Sequence, residues 1–106
     1  MRQLLIKYQG IPCGILQELD DHSHYQFSYL PDYYGGPISL TLPVKDAPYK
    51  FDTFPPFFDG LLPEGIQLEA LLRQRKIDQT DYMEQLAIVG GDLVGAVTAH
   101  ELKGGK

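Results

Sequence analysis

The sequence has no tryptophan, a single cysteine, and only nine Lys and Arg against fourteen Asp and Glu in 106 residues. One thiol cannot form an internal disulfide, so the fold must rest on packing and hydrogen bonding. Cys13 reads as a small core residue in a reducing compartment. The shortage of cations and the formal net charge of −5 argue against binding a phosphate backbone. Direct nucleic-acid contact is therefore not expected. The local basic group Arg73, Arg75 and Lys76 follows an apolar helical pattern, where cations offset the negative end of the helix dipole. No apolar run reaches the roughly 18 to 20 residues needed to span a bilayer. The opening stretch, Met1 to Gly10, lacks both a long hydrophobic segment and a cleavage pattern. These absences place the chain in the cytoplasm and away from membranes.

What is present suits one packed core. Hydrophobic residues make up 43% of the chain, with seven Tyr and five Phe, enough for a single domain over residues 1–106 with residues 102–106 as a flexible tail. Leu4 to Tyr8 and Gly14 to Leu19 flank the turn residues Gln9, Gly10 and Pro12, a hairpin signal. Tyr25 to Leu30 alternates with period two, so Tyr25, Phe27 and Tyr29 share a face. Ile38 to Leu42 alternates again and predicts a fourth strand, with Ile38, Leu40 and Leu42 on one side. The proline-rich Pro43 to Pro56 reads as an irregular connection.

Helical character begins near Pro56 or Phe57, breaks at Gly60 to Gly65, and resumes over Pro63 to Arg75, where Leu68, Leu71 and Leu72 form an apolar side. A second helix carries Met83, Leu86 and Ala87, with Asp78 or Thr80 as its N-cap and Gly90 as its stop. Gly95 to Glu101 predicts a returning strand. The order is β-β-β-β-α-α-β, an α+β domain with about five strands in an antiparallel or mixed sheet and two helices packed on it.

No catalytic, metal or cofactor site emerges. Gly90 to Gly95 resembles a phosphate loop only in composition, because it leaves a helix and enters a strand, where the nearby dipole end is negative. His22 and His24 beside Asp20 and Asp21 lack the ligand spacing of a closed metal site and read as a solvated turn. His100 stands alone in a strand. Asp59 and Glu64 are carboxylates in an apolar run, yet helix-start chemistry accounts for both, Asp59 by capping the preceding turn and Glu64 by lying in a first turn. A small enzyme using that pair as acid and base would need a pocket that separates their pKa values. The segment Phe54 to Ile66 is so rich in Phe, Leu, Ile and Pro that a domain of this size need not bury all of it, so it divides between core edge and docking surface.

Three motifs in order, Ile38-Ser-Leu-Thr-Leu-Pro43, Phe57-Phe-Asp-Gly-Leu-Leu-Pro-Glu-Gly65 and Gly90-Gly-Asp-Leu-Val-Gly-Ala-Val97, resemble the N-terminal subdomain of HipA-type kinases. The opening Lys7-Tyr-Gln-Gly-Ile-Pro-Cys-Gly-Ile-Leu16 is similar to that family's first hairpin. In the family this subdomain precedes a larger kinase body holding the ATP loop, catalytic Asp and metal ligands, none of which has a counterpart here. The resemblance implies a free-standing first subdomain, similar to the small HipS antitoxin of split HipBST systems, which binds and neutralises a serine/threonine kinase toxin lacking that subdomain. It implies that partner, and a HipB-like DNA-binding protein as a third component. The expected docking residues are Phe57, Phe58, Asp59, Leu62, Pro63, Glu64, Ile66 and Gln67. The competing expectation is a structural or activating subunit of a split kinase, or an N-terminal piece of a longer one.

Overall fold

A tight hairpin starts the sheet. In a computed structural model of the chain, which describes residues 2–19, 24–45, 47–62, 69–70, 72–74, 81–92 and 96–102, β1 (Arg2–Tyr8) and β2 (Ile11–Glu18) pair antiparallel across Gln9 and Gly10. Both turn residues have positive φ, 54° and 81°. This left-handed pair matches the twist of the flanking strands, and glycine at the second position adopts it without a Cβ penalty. Pro12 therefore belongs to β2 rather than to the turn, opposite Lys7. The register slips between Ile6 and Lys7, leaving Cys13 as the extra residue of a bulge.

β3 (Tyr25–Tyr29) adds to β2, and β5 (Val97–Leu102) adds to the other side of β1, while the three-residue β4 (Tyr49–Phe51) edges β3. The strand order is β4-β3-β2-β1-β5, all neighbours antiparallel. The predicted alternation of Tyr25, Phe27 and Tyr29 holds, and all three are buried. Cross-strand pairing aligns them with Glu18, Leu16 and Gly14, and these with Arg2, Leu4 and Ile6, so one face carries the core. The reverse face holds Gln3, Lys7, Gln17, Gln26 and Thr98, with a Gln26-to-Gln17 side-chain hydrogen bond of 2.9 Å. A single covered face is the usual condition of antiparallel sheets.

The fourth strand differs from the sequence expectation. Ile38 to Leu42 is a bent loop with only an isolated Ser39–Leu42 bridge. The Tyr29 hydroxyl accepts from the Ile38 amide at 3.1 Å and donates to the Leu42 carbonyl, drawing the loop over the core. Ile38 and Leu42 are buried, whereas Leu40 is 96% exposed. The fourth strand comes instead from within the proline-rich connection, at Tyr49–Phe51.

Helices cover the core face: α1 (Pro56–Asp59) inserts Phe58, and α2 (Tyr82–Val89) inserts Met83 and Leu86. Residues 69–70 and 72–74 between them are helical, within the predicted Pro63 to Arg75 helix. The N-cap of α2 is Asp81, whose side chain accepts from the Glu84 amide, so neither Asp78 nor Thr80 holds that position. A 3-10 turn, Gly90–Asp92, follows α2 directly. Gly90 keeps right-handed helical dihedrals, so glycine is needed there for space: an added Cβ would overlap the carbonyl of Ala99 in β5. Leu102, expected in the tail, pairs with Gln3 as the last residue of β5.

Candidate docking segment

The segment from Phe54 to Leu62 is half core and half surface. Pro56 opens α1 at a position where no amide is needed, and Pro55 stands at the N-cap without a side-chain cap. Asp59 lies within α1 and does not cap it. Backbone bonds from Asp59 to Pro55, Gly60 to Pro56, Leu61 to Phe58 and Leu62 to Asp59 close successive turns at 3.0 to 3.1 Å. This coil fixes which side chains point inward.

Phe58 is fully buried and is the keystone. Its ring lies 5.6 Å from that of Phe27 and 5.2 Å from that of Phe57, the latter edge-on. Phe54 is the second anchor, edge-on to Tyr25 at 5.3 Å and stacked near Tyr82 at 5.4 Å, which ties the segment to the start of α2. Leu62 is also buried, while Phe57 and Leu61 are half-buried and Asp59 is exposed. Among the expected docking residues, Phe58 and Leu62 thus spend their side chains on the core. Phe57 and Asp59 reach the surface. Pro63, Glu64, Ile66 and Gln67 lie outside the described residues.

Arg2 connects the sheet to α2 beside this segment. Its guanidinium forks onto buried Glu18, with Nε and a terminal nitrogen each 2.7 Å from a carboxylate oxygen, and reaches the Asp81 cap at 2.8 Å. These hydrogen bonds push the guanidinium pKa up. Burial raises the hydroxyl pKa of Tyr25 and of Tyr29, keeping Tyr29 neutral as the donor to the Leu42 carbonyl, and pushes the Cys13 thiol up to about 11.

Other residues weighed for chemistry stay apart. His24 Nε2 is 3.6 Å from Asp52 Oδ1 at the end of β4, and His100 Nε2 is 3.0 Å from Thr98 Oγ1 on its own strand. Asp20, Asp21 and His22 lie outside the described residues, among which no three His, Cys, Asp or Glu converge as a metal site. Arg73 is exposed. No helix of the described residues is long and apolar enough to cross a membrane.

A second surface was not singled out from the sequence. Ile11, Tyr34, Leu40 and Val44 are large apolar residues left exposed, three of them on the loop between β3 and β4. The available signal was Pro31-Asp-Tyr-Tyr-Gly-Gly-Pro37, where aromatic residues sit inside a turn-forming stretch.

A model of the HipA N-terminal domain matches residues 4–100. Among solved structures, the N-terminal domain of HipA toxin superposes with a TM-score of 0.76 and 30% identity, covering 98% of this chain and 95% of that one. An uncharacterized protein of Haemophilus influenzae is 39% identical over 90 residues, which span 85% of this chain and 83% of that protein. The putative kinase Y4dM of Sinorhizobium fredii is 31% identical over 109 residues, 93% of this chain but only 26% of the kinase. The chain belongs to the HipA N-terminal domain family.

Proposed function

We propose that the chain is a non-catalytic antitoxin that binds and inhibits a HipA-like serine/threonine kinase lacking an N-terminal domain of its own. The observation that carries this reading is the contrast in coverage. The match takes up 26% of the putative kinase but 83% of the Haemophilus protein, so the same domain occurs both within a kinase-sized chain and as most of a small one. A domain of this kind, supplied in trans, has a ready counterpart in the kinase remainder. The reading needs no metal or cofactor on this chain, assigns it to the cytoplasm, and leaves room for a HipB-like DNA-binding protein in a ternary complex.

The docking surface on this reading is the outer side of α1 and the residues after it. Phe57, Asp59 and Leu61 offer apolar area beside a carboxylate, with Phe58 and Leu62 buried beneath it, and Pro63, Glu64, Ile66 and Gln67, which follow in sequence, are further docking candidates. Rigid apolar anchors bind at low entropic cost, and seating them near the kinase cleft obstructs substrate or closure. The competing reading, a subunit that completes and activates a split kinase, predicts the opposite sign.

The test is autophosphorylation and substrate phosphorylation by a kinase encoded beside this chain, with and without a stoichiometric amount of it, after gel filtration of the mixture. Suppressed phosphorylation with co-elution supports the antitoxin. Stimulation refutes it in favour of the activating subunit, and absence of co-elution rejects both.

A further inference from the structure

We infer that the cavity between the β1–β2 turn and the loop after β3 receives an arginine side chain of a protein partner. The cavity has a volume of about 450 Å³ and is lined by Tyr8, Tyr33, Tyr34 and Asp32, with Ile11 and Leu30 among its apolar walls. None of its lining residues is a cation. Tyrosine rings attract cations through their π faces, and a carboxylate beside them adds a charged acceptor. Arginine suits this set better than lysine, because its plane stacks on a ring while its fork meets a carboxylate. The apolar walls accommodate its methylene stem.

The cavity is built rather than incidental. Tyr33 is fixed by its hydroxyl, which donates to the Gly36 carbonyl at 2.6 Å, and by parallel stacking on Tyr29 at 5.9 Å. Tyr34, 91% exposed, leaves its ring accessible to an entering side chain. The same loop already makes a contact of this kind with β4, since Lys45 Nζ sits 4.1 Å from the centre of the Tyr49 ring. The net charge of −5 draws cationic partners. Only the identification of the arginine's owner as the kinase rests on the function proposed above.

The experiment is a ¹⁵N-HSQC titration of the full chain with Nα-acetyl-arginine methylamide, with the norleucine analogue as the uncharged control. The expected result is saturable shifts at Tyr8 and residues 32–36 with arginine only, weakened roughly threefold or more in Asp32→Asn and in Tyr34→Ala. Both substitutions are at exposed side chains, and unchanged spectra elsewhere confirm the fold. No shifts, equal shifts with norleucine, or equal affinity in both variants overturns the cavity's role. The same variants are then tested for kinase co-elution. A positive titration with unchanged kinase affinity overturns the assignment to that partner's arginine. A positive titration with no kinase complex for the parent chain sinks the antitoxin reading and leaves the cavity standing.

Discussion

Replacing Arg2 by alanine strips Glu18, 3% exposed, of its guanidinium. Removing one partner of a buried ion pair costs about 3 to 5 kcal/mol when the other charge stays dry. Arg2 is 44% exposed, so water reaches the vacated space and the expected loss falls to about 2 to 3 kcal/mol. The lost contact with Asp81 adds less than about 1 kcal/mol, being near the surface. With a urea dependence of about 1 to 3 kcal/mol per molar for a domain of this size, the midpoint drops by about 1 to 2 M. Glu18→Gln removes the charge that Arg2 answers, so the double variant is less destabilised than the summed singles by about 1 to 2 kcal/mol. Equilibrium urea unfolding of the four proteins of this cycle, followed by tyrosine fluorescence and far-UV dichroism, measures these quantities. A loss below about 0.5 kcal/mol for Arg2→Ala, or additivity within that margin, refutes the idea that this fork stabilises the buried Glu18 carboxylate between β1 and β2.

Phe58→Ala should cost about 3 to 5 kcal/mol and leave little folded protein by thermal melt, whereas Asp59→Arg should melt as the parent does and lose kinase inhibition. Equal melting of the two variants would contradict the inward and outward assignment of α1. Gly90→Ala should destabilise by about 1 to 3 kcal/mol, since the turn or β5 must shift to admit the methyl group, and a neutral effect in urea unfolding would disprove that close approach. The Cys13 thiol moves from an ordinary 9.0 to about 11 on folding, so between these values the unfolded chain releases a proton that the folded chain keeps. Its contribution is complete below pH 9 and lost as pH rises toward 11, by up to about 2 kcal/mol. Tyr25 and Tyr29, also raised, act in the same direction. Urea midpoints at pH 8 and pH 10.5 should therefore fall less in Cys13→Ala than in the parent, and an identical fall would argue against a buried neutral thiol.

The sheet was readable where alternation and turn chemistry agreed, as at Gln9-Gly10 and Tyr25 to Tyr29. It was misread where alternation reported burial without pairing. Ile38 and Leu42 do turn inward, yet Tyr29 holds them through its hydroxyl, and no strand bonds them in a ladder. Tyr49–Phe51 is a strand because Tyr25 and Phe27 offer it partners, information that its own proline-flanked residues do not carry. The α2 cap lies at Asp81, whose side chain accepts from the Glu84 amide, and Arg2, remote in sequence, also pairs with that carboxylate. In the docking segment, composition showed apolar excess but could not divide Phe57 from Phe58, since adjacent residues of a short helix part company only once Phe27 defines the inside. Half of the Tyr8–Tyr34 cavity lies in the aromatic turn Pro31 to Pro37, while its other wall comes from the β1–β2 hairpin, and no local pattern links the two.

Because Gln3 pairs with Leu102, the first strand of the chain waits for the last. Until β5 arrives, β1 is an open edge with unspent backbone donors, in a chain that must close its largest loop to finish the sheet. Damage to the final strand, through truncation or a proline at Ala99, would therefore do more than loosen a terminus. It would leave β1 as an open edge, exposed to proteases and to strand pairing between molecules.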